Sequence, residues 1–236
     1  MKSVYGPIRS WRVGAALGVD PICRQPKVCN LKCVYCRLGH GGMMITDRCR
    51  FVDEKQVVEE AREILNEEDV DAVEIRGTGE PFLARNLGMM ARSLRALTDV
   101  PICVITNGSM LQRKDVMDEL EDFDVVIVKL DASDEKGFYL MNRPHSSIRF
   151  DDIVKGAIKV KAENRCDIRV QVTFVQANMY QAEEIARTCE DIGVEMVYLS
   201  TPIKIEGQDL TKRDIIDLSR YFRSFKVRTI FDDDID

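Results

Sequence analysis

From residue 53 onward the 236-residue chain alternates two kinds of segment, and this alternation limits the fold more than any single motif does. Segments with apolar residues at helical spacing are interleaved with short β-branched runs. Residues 53–67 place Val57, Val58, Ala61, Ile64 and Leu65 on one stripe, and a helix over 86–97 turns Leu87, Met90, Leu94 and Leu97 inward. Further helices are expected over 114–121, 150–163, 180–192 and 211–224. Strands are expected at 70–76, 101–106, 125–132, 167–175 and 194–203, and one near 13–20 brings the number to six. A longer loop containing Asn142, Arg143, Pro144 and His145 joins the fourth strand to its helix. Strands separated by helices pair in parallel through right-handed crossovers, giving an α/β fold. The expectation is one domain over 1–236, with 1–50 as an N-terminal segment and 225–236 as a fraying acidic tail.

The N-terminal segment holds Cys29, Cys33 and Cys36 in the run CNLKCVYC. Three thiolates on a short loop can ligate three irons of a [4Fe–4S] cluster and leave the fourth iron open to a small molecule. A structural zinc site takes four closed ligands, commonly as two separated pairs, and no second CxxC or HxxxH pair occurs. Cysteines this close rarely bridge one another, and no secretory signal precedes them. Of the other five, Cys189 falls on an apolar stripe, Cys103 lies in a buried-type strand and Cys166 at a strand entrance. Cys23 and Cys49 flank the loop but do not make a second cluster. His40, four residues after Cys36, is expected near the cysteines.

In parallel α/β barrels, functional groups gather at the C-terminal ends of the strands. Polar, glycine-containing segments occur at those places here. Gly77, Thr78, Gly79, Glu80 and Pro81 follow the second strand; the glycines allow close backbone approach and Glu80 can accept from an ammonium. Thr106, Asn107 and Gly108 end the third. Lys129 and Asp131 end the fourth, on one face of an apolar run, where charges need partners. Gln171 and Thr173 alternate with apolar residues on the fifth, and Ser200 and Thr201 end the sixth.

The CxxxCxxC run with Tyr35 before its last cysteine resembles the radical S-adenosylmethionine (SAM) superfamily. The segments YGPIRSWRVGAALGVDPI, CNLKCVYCRLG, GTGEPFL, VKLDA, NRPH and STPI together look like the Fe–S oxidoreductases related to wyosine synthase. That enzyme carries a second cluster on three further N-terminal cysteines, whereas only Cys23 precedes the motif here. The resemblance implies an open (β/α)6 partial barrel, one [4Fe–4S] cluster on Cys29, Cys33 and Cys36, and reductive cleavage of SAM to a 5′-deoxyadenosyl radical. It places SAM against Tyr35, the segment Gly77 to Pro81, Asn107, Lys129, Asp131, Gln171 and Thr201. Lys129 would meet the SAM carboxylate and Asp131 a ribose hydroxyl or the substrate, an ion pair at the rim being the other reading. Arg143 and His145 would be substrate contacts or loop anchors.

An activase of glycyl radical enzymes shares the size and the cysteine motif, but its Asp-Leu-Lys pattern stands here reversed as Lys129-Leu130-Asp131. A non-catalytic electron-transfer protein is the alternative of another class.

The net charge of −6 argues against a strongly basic nucleic-acid binder. Residues 1–50 nevertheless carry nine Lys and Arg against two acids, a cationic collar suited to a phosphate-bearing or RNA substrate or to reduced flavodoxin or ferredoxin as electron donor. Arginines that anchor SAM on an otherwise solvated surface would give the same count. No apolar run is long enough to span a bilayer and the N-terminus lacks a signal-peptide core, so a cytoplasmic protein without membrane partners is expected.

Overall fold

The computed structural model describes residues 2–202 and 209–232. Strands β1 (Val4–Ser10) and β2 (Gly14–Val19) form an antiparallel hairpin. The cysteine loop follows, with two short strands, β3 (Val28–Cys29) and β4 (Met43–Met44), paired in parallel with each other. The chain then runs α1 (Glu54–Leu65), β5 (Ala72–Ile75), α2 (Leu87–Arg95), β6 (Ile102–Thr106), α3 (Lys114–Met117) and β7 (Val125–Lys129). It continues through α4 (Glu135–Asn142), α5 (Phe150–Glu163), β8 (Asp167–Thr173), α6 (Ala182–Ile192), β9 (Met196–Ser200), α7 (Lys212–Ser219) and β10 (Lys226–Thr229).

Eight strands form one curled sheet in the order β1-β2-β5-β6-β7-β8-β9-β10, with every pair parallel except β1 and β2. The edges β1 and β10 do not pair with each other, so the sheet is an open half-barrel. Six strands from β2 to β9 each lead to a helix, which is the expected partial (β/α)6 arrangement.

Besides the short pair β3 and β4, three elements depart from the sequence expectation. β1 contains Gly6 and Pro7, which weaken a strand signal, and it is tolerated because it is an edge. α4 occupies what was expected to be loop. It is short, yet Asp134 caps it by accepting from Gly137 N at 2.6 Å, and Phe138 and Met141 bury its inner face. The stretch 225–236, expected as a tail, supplies β10, whose Val227 and Thr229 lie in register with Val197 and Leu199 of β9. Ile203 and residues 233–236 lie outside the described residues.

The period of two along each strand divides the interior. Val104, Val126, Val128, Val170, Val172, Val197 and Leu199 belong to the large cluster that includes the buried faces of the helices. Ala72, Cys103, Val125, Ile127 and Tyr198 belong to a second cluster, completed by Trp11 from the hairpin turn and Ile230 after β10. Trp11 meets Tyr198 edge to face at 5.7 Å between ring centroids. This smaller cluster fills the lumen, and apart from Ile105 the residues that follow it along the same faces are polar.

Candidate active site

Register brings those polar residues to one end of the sheet. Val19 pairs with Ile75, Ile75 with Val104, Thr106 with Val128, Lys129 with Gln171, and Thr173 with Ser200. The groups that terminate β5 to β9 therefore share a level. Two cavities open there, of about 210 Å³ and about 890 Å³, and Tyr35, Cys36, Arg76, Gly77 and Lys129 line both.

Cys29, Cys33 and Cys36 all line the smaller cavity. Each sulfur has an amide or ammonium nitrogen near it. Lys27 Nζ lies 3.0 Å from Cys36 Sγ, Asn142 Nδ2 3.3 Å from Cys33 Sγ, and Asn107 Nδ2 3.9 Å from Cys29 Sγ. Burial, with the nearby charge of Glu80, pushes the Cys29 thiol up to about 12, and burial with Asp131 raises that of Cys33. Without metal these are thiols, and loading them releases protons.

Among the described residues no three Cys, His, Asp or Glu side chains converge tightly enough to share one metal ion. Three cysteine sulfurs on one cavity wall are the donor set that a [4Fe–4S] cluster takes, one iron to each. Cys23 and Cys49 line neither cavity, Cys103 and Cys189 are buried in the core, and the exposed His40 makes contact only with Val34 O at 3.3 Å.

The segment Gly77 to Pro81 is sewn to the cysteine loop by backbone. Val28 N donates to Thr78 O at 3.0 Å and Glu80 N to Val28 O at 3.2 Å. Gly79, at φ +152°, lies so close that a Cβ there would stand 1.5 Å from Val28 O. Thr78 Oγ1 accepts from Arg24 N, and Pro81 starts a buried 3₁₀ turn away from both cavities.

Glu80 is almost wholly buried and accepts from Thr106 Oγ1 at 2.6 Å, Asn107 N at 2.8 Å and Phe82 N at 3.1 Å. Burial outweighs these bonds and lifts its carboxyl to about 7. A cation docked against it would favour the ionised form.

Lys129 and Asp131 form an ion pair at 3.2 Å. Asp131 also accepts from Tyr35 Oη, from Thr173 N at 2.6 Å and from Asn142 Nδ2 at 3.2 Å, and it lines neither cavity. Its carboxylate thus fastens the cysteine loop, through Tyr35, to β7, β8 and α4. Burial first, and the Asp131 charge second, hold the Tyr35 phenol well above its usual range. Lys129 Nζ additionally donates to Thr173 Oγ1 and stands 5.1 Å from the Tyr35 ring centre. Gln171 and Thr201 line the larger cavity; Gln171 bonds Arg12 and Ser200, and Thr201 Oγ1 accepts from Leu210 N.

Arg143 and His145 line neither cavity. Arg143 is the exposed left-handed cap of α4 at φ +43°, and His145 N donates to Asn30 O at 2.9 Å. The residue of that motif that enters the site is Asn142. Sequence reasoning also passed over Lys27, Arg12 and Arg76 as site residues. Arg76 could have been found: it stands one pleat beyond Glu74 on the lumen face, directly before Gly77.

Comparison with known proteins agrees with this geometry. The chain is 32% identical over 218 residues to the UPF0026 protein MJ1312 of Methanocaldococcus jannaschii, covering 90% of this chain and 67% of that one. It is 30% identical over 213 residues to a protein named GTPase Obg of Brachyspira hyodysenteriae, of whose length it spans only 30%. A structure of TYW1 with a lysine-pyruvate adduct bound superposes with a TM-score of 0.67 at 14% identity, covering 91% of this chain and 76% of that one. Streptococcus suis SuiB bound to S-adenosylmethionine gives 0.66 at 17%, covering 91% and 50%. The model of the radical SAM superfamily, enzymes that use a [4Fe–4S] cluster and SAM, matches residues 26–192. With the three cysteines, the half-barrel and that match in agreement, the chain belongs to the radical SAM superfamily.

Proposed function

We propose that this chain is an enzyme that cleaves SAM reductively, with Cys29, Cys33 and Cys36 as the protein ligands of a single [4Fe–4S] cluster. The observation that carries the reading is that these thiols share one cavity with Gly77, Gly79 and Glu80. When bound, cluster and SAM supply one-electron cleavage of the C5′–S bond and a 5′-deoxyadenosyl radical that takes hydrogen from a substrate.

The residues of the chain prepare the site for this. Asn142, Lys27 and Asn107 place N–H groups beside the sulfurs, and hydrogen bonds to cluster sulfur make reduction easier. Glu80 and the open backbone at Gly77 and Gly79 suit the amino group of SAM, and Lys129 its carboxylate. Asn107, Gln171 and Thr201 offer polar contacts farther along the strand ends. Tyr35 and Asp131 hold the cysteine loop to the barrel, while Thr78 and Pro81 hold the turn. Leu31, Ile105 and Phe138 give the smaller cavity apolar walls, which keep water from a reactive radical. The one-electron donor in this reading is reduced flavodoxin or ferredoxin, acidic proteins matched to the cationic first fifty residues. Among the described residues no helix is long and apolar enough to cross a membrane.

The test is anaerobic reconstitution, reduction with dithionite, and chromatographic measurement of 5′-deoxyadenosine. Product should exceed that of a Cys33→Ala control. A preparation with full iron content and no product above that control would instead make this a non-catalytic iron–sulfur protein.

A further inference from the structure

Several cations of the first fifty residues are paired with carboxylates. Lys2 pairs with Glu63 at 3.5 Å, Arg48 with Asp115 at 3.1 Å and Glu119 at 2.5 Å, and Arg50 with Glu54 at 2.5 Å. These serve the fold. Arg12 and Arg37 line the larger cavity, as Lys2 and Arg9 also do, and Arg76 from β5 joins them there. The one acidic residue among the described lining residues is Asp20, whose Oδ1 is occupied by Ile22 N, Cys23 N and Thr78 N.

Beneath the cavity, fully buried Glu74 is shared by two guanidiniums, Arg12 Nη1 at 3.6 Å and Arg76 Nε at 3.3 Å. Arg12 is held further by Gln171 Oε1 at 2.7 Å and lies 4.5 Å from the Trp11 ring centre, and Arg76 Nε contacts Tyr5 Oη at 3.4 Å. These contacts fix both guanidiniums from one side. The second Nη of Arg12 and both Nη of Arg76 have no acceptor among the described residues, and Arg37 has neither a hydrogen bond nor an ion pair there. Three guanidiniums with one buried carboxylate leave unbalanced positive charge. Burial, reinforced by Arg76 and Arg37, pushes Arg12 down to about 10 in spite of Glu74.

We propose that Arg12, Arg37 and Arg76 form a subsite for the oxyanion, phosphate or carboxylate, of a small-molecule substrate. Forked N–H donors, those of Arg12 and Arg76 fixed in orientation, suit the paired oxygens of such groups. Arg76 lines both cavities, so the anion is held within reach of the smaller one. This assignment rests on the radical SAM reading above, which makes the smaller cavity the place of chemistry. A concave cavity of about 890 Å³ favours a small molecule over RNA, whose backbone needs an extended basic stripe.

The experiment uses reconstituted protein with SAM bound, under anaerobic conditions and at constant ionic strength. Inorganic phosphate, pyrophosphate and succinate are titrated, with thermal stability and the fluorescence of Trp11, the chain's only tryptophan, as readouts. The expected result is saturable binding whose half-saturation rises at least tenfold in Arg37→Gln and is unchanged in Arg50→Gln. Stronger binding of the phosphates identifies a phosphorylated substrate, and stronger binding of succinate a carboxylate.

Absence of saturation, or equal binding by Arg37→Gln and wild type, overturns the subsite. So does a tenfold loss of SAM affinity in Arg37→Gln, which would assign the guanidiniums to the carboxylate of SAM. Saturable, salt-sensitive binding of a tRNA by a protein indifferent to phosphate would replace the small molecule with RNA. Measuring 5′-deoxyadenosine in the same preparations separates the two readings. Product without anion binding removes only the subsite, and anion binding without product removes only the radical chemistry.

Discussion

Replacing Gly79 with Ala should do more damage than its one added carbon suggests. The new Cβ would stand 1.5 Å from Val28 O and 2.5 Å from Val28 C, both backbone atoms that cannot rotate aside. Real Cβ atoms do not approach below 3.0 Å, so the turn and the cysteine loop must part by about 1.5 Å. That separation breaks the bonds from Val28 N to Thr78 O and from Glu80 N to Val28 O. Each bond is worth about 1 kcal/mol net, and a backbone conformation that a side chain resists adds about 1–3 kcal/mol. The expected loss is about 3–5 kcal/mol, a large part of the roughly 5–15 kcal/mol that stabilises a typical domain.

Urea unfolding of the metal-free protein measures this, with Gly41→Ala as control because nothing lies within 4 Å of a Cβ there. The control should stay within about 0.5 kcal/mol of wild type. Because Val28 adjoins Cys29, Gly79→Ala should also retain less iron after reconstitution. A loss under about 1 kcal/mol, with wild-type iron content, would refute the claim that this glycine is set by backbone contact.

Three other substitutions examine separate parts of the molecule. The Glu80 carboxyl is raised to about 7 from 4.5, so the folded state holds a proton that the unfolded chain releases; stability should therefore fall as pH rises from about 4.5 to 7. By linkage this amounts to about 3 kcal/mol, and urea midpoints across that range should show the fall in wild type and not in Glu80→Gln. Arg48→Ala should cost about 3 kcal/mol, because a buried guanidinium bound to Asp115, Glu119, Phe82 O and Ala84 O is lost, and Arg48→Lys should restore little of it in thermal unfolding. Asn142→Leu should load iron normally yet show a more negative cluster potential by spectroelectrochemistry, since the N–H beside Cys33 Sγ is removed; an unchanged potential would deny Asn142 that role.

What the sequence made legible was whatever local periodicity encodes. The five strands β5 to β9 are runs rich in β-branched residues set between helical stripes, and their polar ends coincide because parallel strands in register end together. The elements that escaped notice draw their stability from tertiary contact. β1 contains Gly and Pro and survives as an edge, β10 is four residues long and leans on β9, and α4 holds by one cap and the buried side chains of Phe138, Met141 and Asn142. Site residues followed the same division. The cysteines stand out by spacing, and so does the segment from Gly77 to Pro81, but Asn142 enters the cavity only because α4 ends there and Arg143 reverses the chain in a left-handed conformation. Lys27 gives no local signal at all; its ammonium is aimed at Cys36 by the fold of the loop.

The hairpin shows how structure and proposed chemistry depend on the same few residues. An open half-barrel leaves its lumen exposed on the side where β1 and β10 fail to meet. The turn after β1 answers this with two consecutive residues. Trp11 fills the lumen against Tyr198 of β9, and Arg12 stacks on Trp11 while reaching Glu74 of β5 and Gln171 of β8. Glu74 takes a further bond from Ser10 Oγ, so the carboxylate fixes the hairpin from beneath as well. Removing Glu74 would therefore leave the buried Arg12 and the part-exposed Arg76 without a shared counter-charge and would free the hairpin from the sheet. A polar exchange at this strand position cannot be neutral: the charge that orients the cavity's arginines is the charge that secures the edge of the barrel.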